Sequence, residues 1–184
     1  MSGRFPDPTS RRLATAANLL TLSRAAAVPF LALSILHGDE RVALGLFLWA
    51  VATDFVDGSL ARRSGRASSL GGLLDHSSDA LFCSVGLGAL AWLGVVPVVL
   101  PLLVAAAFLQ YMLDSRSIAG QPLRASFLGR WNGIFYFVML GIPIVRDALG
   151  IGWPGPGLVI AIGWALVVST VVSMADRAWA LATR

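Results

Sequence analysis

Apolar residues fall in six long runs along the chain, separated by short polar stretches. The runs cover about residues 18–36, 42–60, 72–95, 96–113, 131–145 and 158–174. Most approach about 20 residues, the length of helix that crosses a hydrocarbon core. Lipid cannot satisfy exposed backbone polar groups, so runs of this kind are expected to be helices. Pro29, inside the first run, is tolerated where neighbouring helices cover the backbone. The pattern predicts an all-α integral membrane protein with six transmembrane helices. The stretch "TSRRLATAANLL" before and into the first run reads as a short amphipathic interfacial helix or as the ordinary positive flank of a first span. The expected division is a cytoplasmic segment over 1–17, one membrane domain over 18–176 and a cytoplasmic tail over 177–184.

Composition strengthens this reading. Hydrophobic residues make up 57% of the 184 and charged residues only 13%, against roughly 25% charged in soluble domains. Polar residues run through the N-terminal "MSGRFPDPTSRR" before any apolar core, so it does not read as a signal peptide. Cys83 stands alone, so no internal disulfide forms, and its apolar neighbours make it a packing residue.

Charge then orients the spans. All fourteen basic residues are Arg. Twelve lie on one side: Arg4, Arg11, Arg12, Arg24, Arg62, Arg63, Arg66, Arg116, Arg124, Arg130, Arg177 and Arg184. Only Arg41 and Arg146 lie on the other. Positive loops stay cytoplasmic, so both termini are expected inside. Placed between spans, these Arg residues point to anionic lipid or phosphate rather than to nucleic acid. Trp49, Trp92, Trp153 and Trp179 fall near span ends, where an interfacial aromatic belt accounts for them.

The chemistry concentrates in "DFVDGSLARRSGRASSLGGLLDHSSDA", residues 54–80. Asp54 and Asp57 are three apart at the end of the second span, on one helix face. Asp75 and Asp79 are four apart at the start of the third, again on one face. The short link between these spans makes them antiparallel neighbours, so the four carboxylates converge near the cytoplasmic surface. Unneutralised, they repel one another. Divalent cations remove that conflict, and hard oxygen ligands suit magnesium, manganese or calcium. Two ions for four Asp is a sensible occupancy. Gly58, Ala61 and Gly71 leave room for a bulky ligand, and Arg62 is placed to meet a phosphate. A plainer reading pairs the Asp residues with Arg62, Arg63 and Arg66. A cation-coupled transporter is a further alternative that spacing alone leaves open.

The run Asp54-x2-Asp57-Gly58-x2-Ala61-Arg62-x8-Gly71-x3-Asp75-x3-Asp79 resembles the complete signature of the CDP-alcohol phosphotransferases. Asn18-x2-Thr21-x2-Arg24, with Pro29 after it, is similar to a weaker pattern near the N-termini of that family. The resemblance implies a six-span phospholipid-synthesis enzyme, often homodimeric, in a bacterial-type inner membrane. It implies transfer of a phosphoalcohol from a CDP-linked donor to an acceptor hydroxyl, with release of CMP. By position, Asp54, Asp57, Asp75 and Asp79 would hold two Mg2+ or Mn2+ ions, and Asp79 would be the general base. Asp54, Asp57, Gly58, Ala61, Arg62, Gly71 and Asp75 would bind the CDP moiety.

Two features bear on the substrates. Phosphatidylglycerophosphate synthases usually carry Asp-Pro-x-Ala-Asp-Lys where this chain has "DHSSDA". Asp75-His76-x-x-Asp79 instead resembles the choline and ethanolamine phosphotransferases, in which this His has a proposed role in deprotonating the acceptor. A glycine, Gly72, stands where those enzymes have a Glu. His76 is thus either a second catalytic candidate or a hydrogen-bonding partner of Asp79, and an enzyme using a CDP-amino-alcohol is an alternative. Tyr111 with Arg116 resembles a stretch of the phosphatidylinositol-phosphate synthases. Arg116, Arg124 and Arg130 are therefore candidates for binding an acceptor or headgroup phosphate, although Asp114 cancels charge there and the topology rule alone accounts for Arg in this loop. CDP-diacylglycerol is the expected donor.

Overall fold

The computed structural model describes residues 8–64, 69–114 and 127–182. They form six helices: α1 (Pro8–His37), α2 (Glu40–Ser64), α3 (Ser69–Trp92), α4 (Val99–Asp114), α5 (Phe127–Ala148) and α6 (Pro156–Ala182). No strand occurs among the described residues. One helix corresponds to each predicted run, and the protein is all-α. The segment read as a short interfacial helix forms the first turns of α1, which continues unbroken from Pro8.

Helices α1, α5 and α6 contain stretches long and apolar enough to cross a membrane, at Leu19–His37, Leu128–Ala148 and Pro156–Ala180. Helix α4 is apolar but has only 16 residues, about 24 Å at 1.5 Å per residue. Helices α2 and α3 carry the carboxylates.

The helices close into a ring. Helix α1 packs against α2 and α3, α3 against α4, α4 against α6, α6 against α5, and α5 back against α2. A further contact between α3 and α5 crosses the interior. Leu31, Phe82, Leu87, Leu100, Met139 and Leu140 fill the centre and are fully buried. Phe30, Leu33, Leu48, Val168 and Val172 face outward, an apolar exterior too extensive for a surface in water. Trp92, Trp153 and Trp179 are strongly exposed, in keeping with interfacial positions.

The connections at one end of the ring are tight. Gly38 adopts φ 73° after α1, a left-handed conformation that costs glycine little. It lets the Asp39 amide donate to the Ser34 carbonyl at 2.8 Å and end the helix. The α3 and α5 ends repeat this arrangement at Gly94 and Gly150. Inside the ring, a Cβ on Gly141 would stand 2.5 Å from the Phe47 ring, so the missing side chain lets α5 approach α2 closely. The carboxylates of α2 and α3 lie toward the end opposite the tight turns.

Candidate active site

Three helices build the carboxylate cluster. Asp54 comes from α2, and Asp75 and Asp79 come from consecutive turns of α3. Helix α1 contributes no carboxylate to it. It contributes Arg24, whose side chain has no solvent exposure. The Arg24 guanidinium donates from Nη1 to Asp54 Oδ1 at 3.2 Å and from Nη2 to Asp75 Oδ1 at 2.6 Å. Its Nη1 also forms an ion pair with Asp79 Oδ1 at 2.6 Å. The buried Ser78 hydroxyl donates to the Thr21 carbonyl at 3.2 Å, tying α3 to α1 one turn away from Arg24. Of the N-terminal pattern Thr21-x2-Arg24, the Arg24 side chain joins α1 to α2 and α3, whereas Thr21 takes part through its backbone carbonyl.

This placement gives Arg24, counted above with the charges of the positive side, a further role. The residue is a buried counter-ion to the carboxylates. It also revises the plainer reading of the carboxylates, because a cation from α1 joins them. Arg66 lies outside the described residues, as do the side chains of Arg62 and Arg63. The signal available in the sequence was a single ionisable residue within an apolar run, which calls for a partner.

Exposure grades across the cluster. The Asp54 side chain is 50% exposed, Asp75 32% and Asp79 23%, so Asp79 lies deepest. Asp75, His76 and Asp79 each offer a ligand atom within 4.8 Å of the others. Carboxylate oxygens and an imidazole nitrogen suit a divalent cation, and the cluster already accommodates the cationic Arg24. The residues therefore fit a metal ion. Asp57 lies one turn beyond Asp54 in α2. Nothing of its side chain is described, nor of the side-chain positions at Gly58, Ala61, Arg62 and Gly71, and Arg116 and Arg124 lie outside the described residues.

A cavity of ≈ 560 Å³ opens beside the cluster, a volume typical of small-molecule sites. Asp54, His76 and Asp79 border it, and so do Arg130 and Arg177. Phe108, Ile134, Phe137 and Met174 give it a largely apolar wall. The His76 ring lies 5.5 Å from the Tyr111 ring, and the Arg177 guanidinium caps Tyr111 at 4.8 Å. A line of side chains thus runs from the carboxylates through His76 and Tyr111 to Arg177. Of the three Arg residues expected to bind an acceptor phosphate, Arg130 reaches the cavity. Arg177, which the sequence reading assigned only to the tail, joins it there.

Known proteins are similar to this chain in sequence. A cardiolipin synthase (CMP-forming) of Streptomyces coelicolor is 32% identical over 163 residues, covering 84% of this chain and 74% of that protein. A cardiolipin synthase (CMP-forming) of Rattus norvegicus is 36% identical over 105 residues, covering 56% of this chain and 32% of that protein. A CDP-diacylglycerol–glycerol-3-phosphate 3-phosphatidyltransferase 2 of Arabidopsis thaliana is 27% identical over 199 residues, covering 91% of this chain and 84% of that protein. The chain thus spans most of the bacterial and plant relatives and about a third of the rat protein. The CDP-alcohol phosphatidyltransferase family model matches residues 14–176, a segment that holds Arg24, the complete Asp signature and most of the cavity. With that match spanning all six helices, the chain belongs to the CDP-alcohol phosphatidyltransferase family and is a phosphotransferase enzyme of membrane phospholipid synthesis.

Proposed function

We propose that the protein transfers the phosphatidyl group of CDP-diacylglycerol to a hydroxyl of a phosphate-bearing, glycerol-based lipid, with release of CMP. The observation that carries this reading is the cavity: Asp79 stands at one side, two arginines stand within it, and its wall is apolar. An acceptor with acyl chains and a phosphate matches all three. The Streptomyces and rat relatives are cardiolipin synthases by name, which supports the same acceptor class.

In this reading Asp54, Asp57, Asp75 and Asp79 would hold divalent ions, Mg2+ or Mn2+. Bound ions would neutralise the donor diphosphate and stabilise CMP as leaving group. Gly58, Ala61, Arg62 and Gly71 line the nucleotide site. The Asp79 carboxylate takes the proton of the acceptor hydroxyl. The alkoxide oxygen then forms a bond to the phosphorus that carries diacylglycerol. The bond from that phosphorus to the CMP oxygen breaks, its electron pair leaves with CMP, and Asp79 returns the proton to solvent. Arg130 and Arg177 bind the acceptor phosphate; a cationic amino-alcohol headgroup would meet repulsion there. His76 lies against Tyr111 and helps to line the cavity. The enzyme sits as a homodimer in a bacterial-type inner membrane, with termini and site on the cytoplasmic face.

The test is CMP release by the purified protein in lipid nanodiscs with CDP-diacylglycerol and Mg2+ or Mn2+. Acceptors are phosphatidylglycerol, glycerol 3-phosphate, inositol phosphate and diacylglycerol, with CDP-choline as an alternative donor. Turnover fastest with phosphatidylglycerol is expected. Preference for a water-soluble acceptor overturns the lipid assignment, and no CMP from any pair overturns the transferase reading.

A further inference from the structure

Arg24 poses a question that the transfer reaction alone leaves unanswered. A fully buried guanidinium sits among carboxylates that a metal ion is expected to claim. Burying a charge is costly unless it is paired, and here three carboxylates from two other helices pair with it. The cost of taking this side chain out of its ion pairs holds it in place when an ion arrives. The geometry allows both cations to share the cluster, because a carboxylate has two oxygens and several lone-pair directions. The contacts of Arg24 with Asp54, Asp75 and Asp79 each use the Oδ1 atom of the Asp.

We propose that Arg24 is the resident cation of the carboxylate cage, a positioning residue that gathers Asp54, Asp75 and Asp79 before any divalent ion binds and weakens ion binding through like-charge repulsion. The inference rests on the reading that the cage takes divalent ions. Its first half follows from charge. Three converging carboxylates without a cation repel one another, and Arg24 removes that repulsion in the metal-free protein. Its second half follows from distance. A unit positive charge within a few ångström of a divalent ion is worth more than one decade of affinity, even at an effective dielectric constant of about 20. The cage is consequently kept assembled yet not saturated, and the diphosphate of the donor supplies the anionic charge that favours full ion loading.

Electron paramagnetic resonance titration with Mn2+ tests this on the purified protein, stripped of metal and free of nucleotide, alongside Arg24→Gln and Arg24→Lys. Wild type should bind Mn2+, and Arg24→Gln should bind it at least about tenfold more tightly. Without metal, Arg24→Gln should melt at a lower temperature than wild type, and Mn2+ should restore it. Arg24→Lys keeps the charge and should stay within about threefold of the wild-type affinity. If wild type binds no Mn2+, the metal reading itself fails. If wild type binds and Arg24→Gln binds equally or more weakly, the Arg24 inference is overturned. An Arg24→Gln protein that stays unfolded in millimolar Mn2+ overturns it too, because the ion should replace the missing charge. So does an Arg24→Lys protein as tight as Arg24→Gln.

Discussion

Replacing Asp79 with Asn separates the chemical role of this residue from its structural one. Asn keeps the shape of Asp and an oxygen that accepts from Arg24, but it loses the charge and the basicity. Removing one partner from a fully buried ion pair costs about 3–5 kcal/mol. The cost here is smaller. The Asp79 side chain is 23% exposed, and Arg24 retains Asp75 at 2.6 Å and Asp54 at 3.2 Å. About 1 kcal/mol is the reasonable charge, between the exposed and buried limits. That corresponds to a fall of about 2–4 °C in melting temperature for a chain of this length. The single Cys83 is buried, so a thiol-reactive dye reports the melt without added labels. Loss of a general base lowers turnover by about 10²–10⁴-fold, or about 3–5 kcal/mol of barrier. Native proteins hold about 5–15 kcal/mol in reserve, so a loss of 1 kcal/mol leaves them folded. Asp79→Asn should therefore be folded and inactive in CMP release. A turnover within tenfold of wild type would refute the base assignment. A collapse of the melt would refute the shared-pairing argument. Asp54→Asn is the control for stability: at half exposure its pair contributes about 0.5 kcal/mol or less.

Other outcomes follow from the same geometry. His76→Ala should retain turnover within about tenfold, because Asp79 and not His76 takes the proton; a loss beyond a hundredfold would transfer the role to His76. Arg177→Ala should raise KM for the lipid acceptor by about tenfold while leaving KM for CDP-diacylglycerol nearly unchanged, and equal effects on the two would remove Arg177 from the acceptor site. Gly163→Ala places a Cβ 2.5 Å from Cδ of the rigid Pro97 ring, whereas Gly86→Ala meets the movable Leu140 methyls at 2.8 and 3.0 Å. Thermal melts should show Gly163→Ala the more destabilised, by about 1 kcal/mol after the helix-propensity gain of Ala, and the reverse order would contradict the packing.

The contrast between what could be read early and what could not follows the range of the interactions. Spacings of three and four residues place Asp54 with Asp57 and Asp75 with Asp79 through the geometry of a single helix, so the sequence already states them. Six apolar runs likewise announce six helices. Helix ends were less legible: α1 starts at Pro8 and α6 runs to Ala182, both beyond the apolar windows. Hydropathy marks the part of a helix that lies in lipid and says nothing of turns that continue outside it. The cavity needed the ring closure, which brings Tyr111 of α4 to Arg177 of α6 and to His76 of α3. Arg24 is the sharpest case. Its partners lie 30 residues away at Asp54 and 51 away at Asp75. The positive-inside rule offers a sufficient local account of any Arg near the start of a span, and that sufficiency concealed the tertiary one. Two observations, joined, would have revealed it. The first span contained one charge with no partner inside it, and the next two spans held carboxylates in search of a cation. An ionisable residue in a span asks for its counter-charge; in this protein the excess of each segment is the deficit of the other.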